Sequence, residues 1–267
     1  MLCLISGSGL YSLDDPEVIL IKEYFDHNKF GYPSDVIQKL SYRGNEFFFL
    51  PRHGKDHQWP AHRLPYRANF EALSNLGVKH IFSHCACGSL KKDLNPGSFV
   101  ILDQFVDFTK RADDFEPTNK FVHLPMTYPY CEFGRNLLKG VISRLKYNYV
   151  DSGTVVVIEG PRFSTLAESL MYIRNGWDVV NMTQYPECYI AREYGMNYTA
   201  FASITDYSPG LDEVKREISP ESINKIKIFF KENAGRSKKI FLELVLESNV
   251  IHEFPLIKNT FKEFFRK

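Results

Sequence analysis

Long apolar runs, an excess charge of either sign and a regular cysteine pattern are all missing from this 267-residue sequence. Its 33 basic and 32 acidic residues nearly balance, so charge gives no indication of nucleic-acid or membrane binding. Five irregularly spaced cysteines make a poor disulfide framework and predict a reducing, cytoplasmic compartment. No stretch is long and apolar enough to span a bilayer, and we expect neither a signal peptide nor a membrane anchor.

Internal repeats and low-complexity linkers are also missing, and the length fits one large α/β domain as well as two small ones. Short apolar runs alternate with helical patterns, which predicts a sheet flanked by helices. The predicted strands are Leu2–Ser6, Asp35–Tyr42, Asn45–Pro51, His80–Ala86, Phe99–Phe108, Gly153–Glu159, Val179–Asn181 and Tyr198–Ile204. The predicted helices are Arg67–Leu76, Phe133–Leu145, Thr165–Asn175, Tyr185–Tyr194, Pro220–Lys239 and a last one near Leu256–Lys267.

Glycine-containing junctions follow three of the predicted strands, at Ser6–Gly9, Arg52–Gly54 and Cys87–Ser89. Ligands of α/β sheets bind at the carboxyl ends of strands, so the three junctions are candidates for one shared site. The first junction lacks the third glycine of a dinucleotide fingerprint, because Ser12 stands there, and it lacks the lysine of a P-loop. Taken alone, it is more typical of a tight turn.

Donors suited to an anion stand at the second junction. Arg52 offers a forked pair of N–H groups for phosphate and His53 offers another, although a surface basic pair is an equally good interpretation of these two alone. The third junction raises the question of a metal, since His84, Cys85 and Cys87 are ligand types. Adjacent strand residues point to opposite faces, so we predict no metal site and instead backbone N–H groups facing an anion.

Three further junctions bring other polar groups to strand ends, namely Glu159–Ser164, Asn181–Thr183 and Thr205–Ser208. A bend at Glu159–Ser164 suits an aromatic ring presented to a flat ligand, or a turn with a core phenylalanine. The aspartate of the last segment suits a hydrogen bond to a heterocycle, or a helix cap.

Together these segments resemble the methylthioadenosine phosphorylase branch of the trimeric purine nucleoside phosphorylase family, and they occur in that family's order. The resemblance is carried by Ser6–Leu10, Leu50–Gly54, Ala86–Leu90, Ile158–Ser164, Ala167–Ser169, Asn181–Thr183, Pro186–Glu187 and Thr205–Tyr207. It implies one α/β nucleoside phosphorylase domain over residues 1–267, with a central mixed β-sheet partly closed into a barrel and flanked by α-helices. It also implies a homotrimer, or a dimer of trimers, that needs no metal or organic cofactor and uses inorganic phosphate as co-substrate.

The resemblance also assigns roles to single residues. The catalytic residue would be Asp206, which would protonate or hydrogen-bond the purine N7. Those implied to hold phosphate are Ser8, Arg52, His53, Cys85, Ala86 and Thr183. Those implied to hold the nucleoside are Phe163, Ser164, Met182, Asp206, Ser208, His123 and Ile223, with His123 contributed by a neighbouring subunit.

Two positions bear on the substrate. The branch acting on 6-oxopurines has Glu where Ser164 stands and Asn where Asp206 stands, so the resemblance favours cleavage of methylthioadenosine to adenine and methylthioribose 1-phosphate. Cys85, Ser208 and Lys227 depart from that branch's pattern. The alternatives are a phosphorylase for 6-oxopurine nucleosides or methylthioinosine, a catalytically weak nucleoside-binding homologue, and a hydrolytic nucleosidase.

Overall fold

The structure, a computed structural model, describes residues 1–111, 123–211 and 220–256, with the backbone alone over 220–227. The strands described are β1 (Leu2–Ser6), β2 (Val18–Tyr24), β3 (Ile37–Tyr42), β4 (Asn45–Pro51), β5 (His80–Ser89), β6 (Phe99–Ile101), β7 (Gln104–Phe108), β8 (Tyr149–Val150), β9 (Thr154–Ile158), β10 (Val179–Asn181) and β11 (Asn197–Tyr207). The α-helices described are α1 (Tyr66–Asn75), α2 (Glu132–Arg144), α3 (Leu166–Arg174), α4 (Gln184–Glu193), α5 (Pro220–Leu246) and α6 (Ser248–His252).

All described strands join in one mixed sheet, which confirms the predicted α/β class. The main path runs β2-β3-β4-β1-β5-β10-β9-β7, while β11 pairs with β5 and β6, and β6 with β8. The sheet branches at β5. On one edge, β1 pairs with β5 only as far as Ser83 and β10 pairs with it only from Gly88 onward. On the other edge, β11 pairs along its whole length.

Both faces of the central strands are covered. In β1, Leu2 and Leu4 pack into a cluster with residues of α2 and α5, whereas Cys3 and Ile5 pack into a second cluster with residues of α1 and α4. Side chains that alternate between two helical layers explain why β1 is apolar throughout rather than at every second residue. No helix within the described ranges is long and apolar enough to cross a membrane.

The predicted strand Phe99–Phe108 is wrong in one respect, because it is two strands with different partners. Leu102 donates its N–H to the Ala200 carbonyl of β11, and Asp103 donates its N–H to the Gly153 carbonyl before β9. The chain thus leaves one strand pair and joins another at these two residues. A continuous apolar run contains no signal for such a change of partner.

Other differences concern the ends of elements. β5 and β11 extend past their predicted ends at Ala86 and Ile204, since they pair with each other over ten positions. α5 continues to Leu246 rather than Lys239. The edge strand β2 was not predicted, and the final helix expected near Leu256–Lys267 falls almost wholly outside the described residues.

Candidate active site

The first two glycine-containing junctions meet at one point of the sheet. β1 and β4 run parallel with their ends side by side, and the N–H of Arg52 donates to the Ser6 carbonyl at 3.1 Å. At Gly7, a Cβ atom would lie only 2.8 Å from Arg52 Nη1 and from the carbonyl oxygen of His84. Only glycine therefore fits where the turn after β1, the arginine after β4 and the middle of β5 converge. Ser8 is half-buried in the same turn.

Arg52 is fully buried, and one edge of its guanidinium is bound to a carboxylate. Nε donates to Glu187 Oε1 at 2.6 Å and Nη2 to Oε2 at 2.9 Å. Nη2 also donates to the hydroxyl of Ser83, and Nη1 donates to the carbonyl of His84 at 2.7 Å. The forked edge that the sequence assigns to phosphate thus faces Glu187. Nη1 keeps one further N–H, and Gly7 lies next to this nitrogen.

Glu187 has no predicted role of its own and appears only within a predicted helix and the matching segment Pro186–Glu187. It is 135 residues from Arg52 in the chain, so no local pattern reveals the pair. Tyr198 of β11, also unassigned, donates its hydroxyl to Glu187 Oε2 at 2.6 Å. Asn181 is a third residue without a predicted role of its own. Both polar atoms of its buried amide lack a hydrogen-bond partner among the described residues.

His53 lies beside Arg52 and is nearly as buried. Its Nδ1 is 2.8 Å from the Trp59 carbonyl, and because a carbonyl only accepts, Nδ1 carries the proton. The ring stacks on His57 with centroids 4.6 Å apart. Burial, and then the charge of Arg52, lowers the pKa of His53 to about 3. The imidazole is therefore neutral at physiological pH.

The third junction forms the far half of β5. Cys85 and Cys87 lie on one face with their Sγ atoms 3.6 Å apart, while His84 packs against Phe201 on the other face. His84 Nε2 contacts the Ser203 hydroxyl at 2.9 Å. Ala86 is half-buried and lies on the stretch of β5 that neither β1 nor β10 covers. The predicted contact between the Ala86 backbone and an anion stays a prediction.

The end of β10 supplies the next group. Thr183 is buried at the start of α4, yet its hydroxyl makes no capping hydrogen bond to that helix. Met182 packs against the bend after β9, where a Cβ on Gly160 would be 2.6 Å from the methionine sulfur. This contact brings the segment Glu159–Ser164 next to the segment Asn181–Thr183.

A carboxyl group lies at the other end of β5. A bulge in the pairing with β11 sets Asp206 opposite Gly88, where a Cβ would be 3.8 Å from Asp206 Oδ2 and 3.0 Å from the Ser208 hydroxyl. Thr205 donates its hydroxyl to Asp206 Oδ1 at 2.5 Å. Burial raises the pKa of Asp206, an effect that the Thr205 hydrogen bond opposes. The Ser208 hydroxyl is buried without a described partner.

The bend before α3 holds two predicted nucleoside contacts. Ser164 shares a 2.8 Å hydrogen bond with the Ser169 hydroxyl, and Phe163 is 80% exposed. A capping box between Thr165 and Glu168 starts the helix directly after them. Phe163 is thus held on a defined bend with its ring uncovered in a single chain.

Two residues, His123 and Ile223, are predicted to shape the 5-substituent pocket. His123 is exposed at the start of a described range. The side chain of Ile223, like that of Lys227, lies outside the described residues. Both positions therefore stay predictions.

Strand β5 connects the two polar groups. Arg52 contacts it at His84 and Asp206 lies against it at Gly88, four residues further along. At about 3.3 Å per residue, these points are about 13 Å apart along the strand. The guanidinium of Arg52 and the carboxyl group of Asp206 therefore lie at two separate points of one strand.

A separate cavity of about 350 Å³ lies between α1 and α4 and includes neither Arg52 nor Asp206. Arg111 lines it and donates to the Tyr185 carbonyl and, at 3.1 Å, to the Glu159 carbonyl. Through these hydrogen bonds, Arg111 joins the end of β9 to the start of α4.

The family of this chain is identified by its similarity to known proteins. The sequence model of the phosphorylase superfamily matches residues 9–246 of this chain. The chain belongs to the phosphorylase superfamily. This phosphorylase-superfamily chain is 39% identical to the S-methyl-5'-thioadenosine phosphorylase of Pyrococcus horikoshii, over 89% of this chain and 88% of that protein. It is 36% identical to the purine nucleoside phosphorylase of Streptomyces coelicolor, over 91% and 87% of the two chains.

A solved structure is similar to this superfamily member over nearly its whole length. The methylthioadenosine phosphorylase of Schistosoma mansoni in complex with adenine superimposes with a TM-score of 0.85 at 32% identity, covering 93% of this chain and 92% of that one. These matches confirm the resemblance drawn from the eight segments, and with it the predicted class of enzyme, a phosphorylase.

Proposed function

We propose that this protein cleaves methylthioadenosine with inorganic phosphate, releasing adenine and methylthioribose 1-phosphate. The observation that carries the proposal is a half-buried carboxyl group, that of Asp206, and a buried arginine at two points of one strand. Relatives and structural neighbours named as methylthioadenosine phosphorylases support the same substrate.

Asp206 acts at the base. Cleavage passes through a sugar with oxocarbenium character, so the leaving purine needs a proton or a strong hydrogen bond at N7. A carboxyl group whose pKa is raised by burial stays protonated more often and can supply it. Its second oxygen can accept from a 6-amino group, whereas a 6-oxo group would present an acceptor to it. This asymmetry favours adenine as the leaving base.

Phosphate binds at the other end of the sugar. The turn at Ser8, the remaining N–H of Arg52, the backbone at Ala86 and the hydroxyl of Thr183 form its cradle, with His53 and Cys85 beside it. Met182 lies under the ribose, and Phe163 and Ser164 line the base. Positioning and electrostatics supply most of the rate enhancement, and no metal or organic cofactor takes part.

The chain acts as one domain over residues 1–267 in a homotrimer or a dimer of trimers. His123 reaches the 5-substituent of a neighbour's substrate, and Ile223 completes that pocket within the chain. All five cysteines are unpaired, which supports a reducing compartment such as the cytoplasm.

The nearest alternative is a phosphorylase for 6-oxopurine nucleosides. It is favoured by the relative named as a purine nucleoside phosphorylase and by Ser208, which stands where the methylthioadenosine branch has a second aspartate. Steady-state rates with methylthioadenosine, adenosine, inosine and methylthioinosine at one phosphate concentration separate the two. We expect methylthioadenosine to have the highest kcat/KM; inosine as the best substrate would overturn the assignment of Ser164 and Asp206.

A further inference from the structure

A buried four-residue network surrounds the arginine of the phosphate end. Glu187 receives two N–H groups of Arg52 and the hydroxyl of Tyr198, and Ser83 contacts both charged partners. The side chains of Arg52 and Glu187 are 1% and 2% exposed, so the ion pair is shielded from bulk solvent. Arg52 directly follows β4, and the other three members lie in β5, α4 and β11, so the network joins four parts of the fold.

The network determines which part of Arg52 is available to a ligand. Its Nε–Nη2 edge is bound to Glu187 and Ser83, and one N–H of Nη1 is bound to the His84 carbonyl. Nη1 has one further N–H, and Gly7 lies beside this nitrogen, where a Cβ would be 2.8 Å from it. A guanidinium without this carboxylate would be free to turn its forked edge toward an incoming anion.

The charges of the network matter as well. Burial alone would disfavour the charged form of Arg52, but Glu187 and its hydrogen bonds raise the arginine pKa above its ordinary value. Burial and the Glu187 charge raise the pKa of Tyr198 well above its ordinary value, so its hydroxyl remains a donor. Because Arg52 and Glu187 neutralise each other, the phosphate end recognises its ligand through placed donors rather than excess positive charge.

We propose that Glu187 is a positioning residue for phosphate, which holds Arg52 by one edge and leaves Nη1, beside the turn at Gly7, as the nitrogen with an N–H available to the ligand. The proposal rests on the function proposed above, because it takes phosphate to bind beside Arg52. Tyr198 supports this positioning indirectly, because its hydroxyl donates to Glu187 and fixes the carboxylate.

The test compares Glu187→Gln with Glu193→Gln. Glu193 is on the same helix and pairs with Arg67 at 3.1 Å, away from the strand ends, so it controls for loss of an α4 ion pair. We expect Glu187→Gln to raise the phosphate KM about tenfold or more, the loss expected for charge-assisted hydrogen bonds, with the methylthioadenosine KM within about twofold of wild type. Glu193→Gln should leave both constants unchanged. Rates are normalised to folded protein.

Tyr198→Phe keeps both charges and removes only the 2.6 Å hydrogen bond to Glu187. If Glu187→Gln fails to fold, Tyr198→Phe tests the proposal in its place. We expect Tyr198→Phe to raise the phosphate KM by about threefold. Arg52→Lys completes a double-mutant cycle. If Glu187 acts through Arg52, adding Glu187→Gln or Tyr198→Phe to Arg52→Lys should raise the phosphate KM by less than about twofold.

Four results would overturn the proposal. The first is an unchanged or lowered phosphate KM in the Glu187 and Tyr198 variants while Arg52→Lys raises it. This result would exclude the positioning role of Glu187 and leave Arg52 as a phosphate ligand. Equal rises in both substrate constants would indicate a structural role only, and so would full additivity in the cycle. An unchanged phosphate KM in Arg52→Lys would show that Arg52 is not a phosphate ligand, and that part of the proposed site would fall too.

Discussion

Replacing Asp206 by Asn tests the chemistry at the base with the smallest change of shape. The Asn oxygen can still accept the 2.5 Å hydrogen bond from Thr205, which leaves the amide NH₂ at the position of Oδ2. That group donates to N7 but has no proton to transfer, and it cannot accept from a 6-amino group. We expect kcat/KM for methylthioadenosine to fall by about 100-fold or more, equivalent to about 2.7 kcal/mol of transition-state stabilisation.

The same variant should lose less activity on methylthioinosine than on methylthioadenosine, because the NH₂ group can donate to a 6-oxo oxygen. Steady-state assays with both substrates measure the ratio. If Asp206→Asn cleaved methylthioadenosine nearly as fast as wild type, Asp206 would not be the group at N7.

Stability gives an independent readout of the Asp206 carboxyl group. The pKa of Asp206 is raised in the folded protein, so its contribution to stability is fully present below the unfolded-state pKa and is lost as pH rises through the folded-state pKa. Asn has no such dependence. Relative to wild type, the variant's Tm should therefore increase from acid toward neutral pH; a constant difference in Tm would show that Asp206 titrates normally.

Three further predictions concern other parts of the site. Cys85→Thr should lower the phosphate KM, because a hydroxyl is a stronger donor than a thiol; an unchanged or raised value would place the thiol away from phosphate. The His53 ring should show no titration between pH 5 and 8 by NMR, since its pKa is lowered to about 3; a midpoint near 6.5 would contradict the buried neutral tautomer. Thr165→Ala should cost about 1 kcal/mol in chemical unfolding, because the capping box with Glu168 is lost, and no change would mean that the box forms without stabilising α3.

Local features of this fold are visible in the sequence. The β1 and β4 strands match their predicted bounds. Thr165 and Glu168 form a capping box at the start of a predicted helix, and all the atoms involved lie within four residues. The strand-end glycines also indicate where the chain turns toward a site, as Gly7 shows by its contact with Arg52.

Contacts between distant segments are not visible. Nothing near Arg52 indicates that Glu187, 135 residues away, binds the edge of the guanidinium that was assigned to phosphate. The division of Phe99–Phe108 depends likewise on where β9 and β11 lie. Residue type and spacing therefore predict which groups gather at the site, whereas packing decides which of their atoms stay available.

The most direct test of the account is adenine release from methylthioadenosine with and without inorganic phosphate, with the sugar product identified. We expect release to require phosphate and to yield one methylthioribose 1-phosphate for each adenine. Release of adenine with free methylthioribose in phosphate-free buffer would contradict it, and so would tight nucleoside binding without turnover at any phosphate concentration.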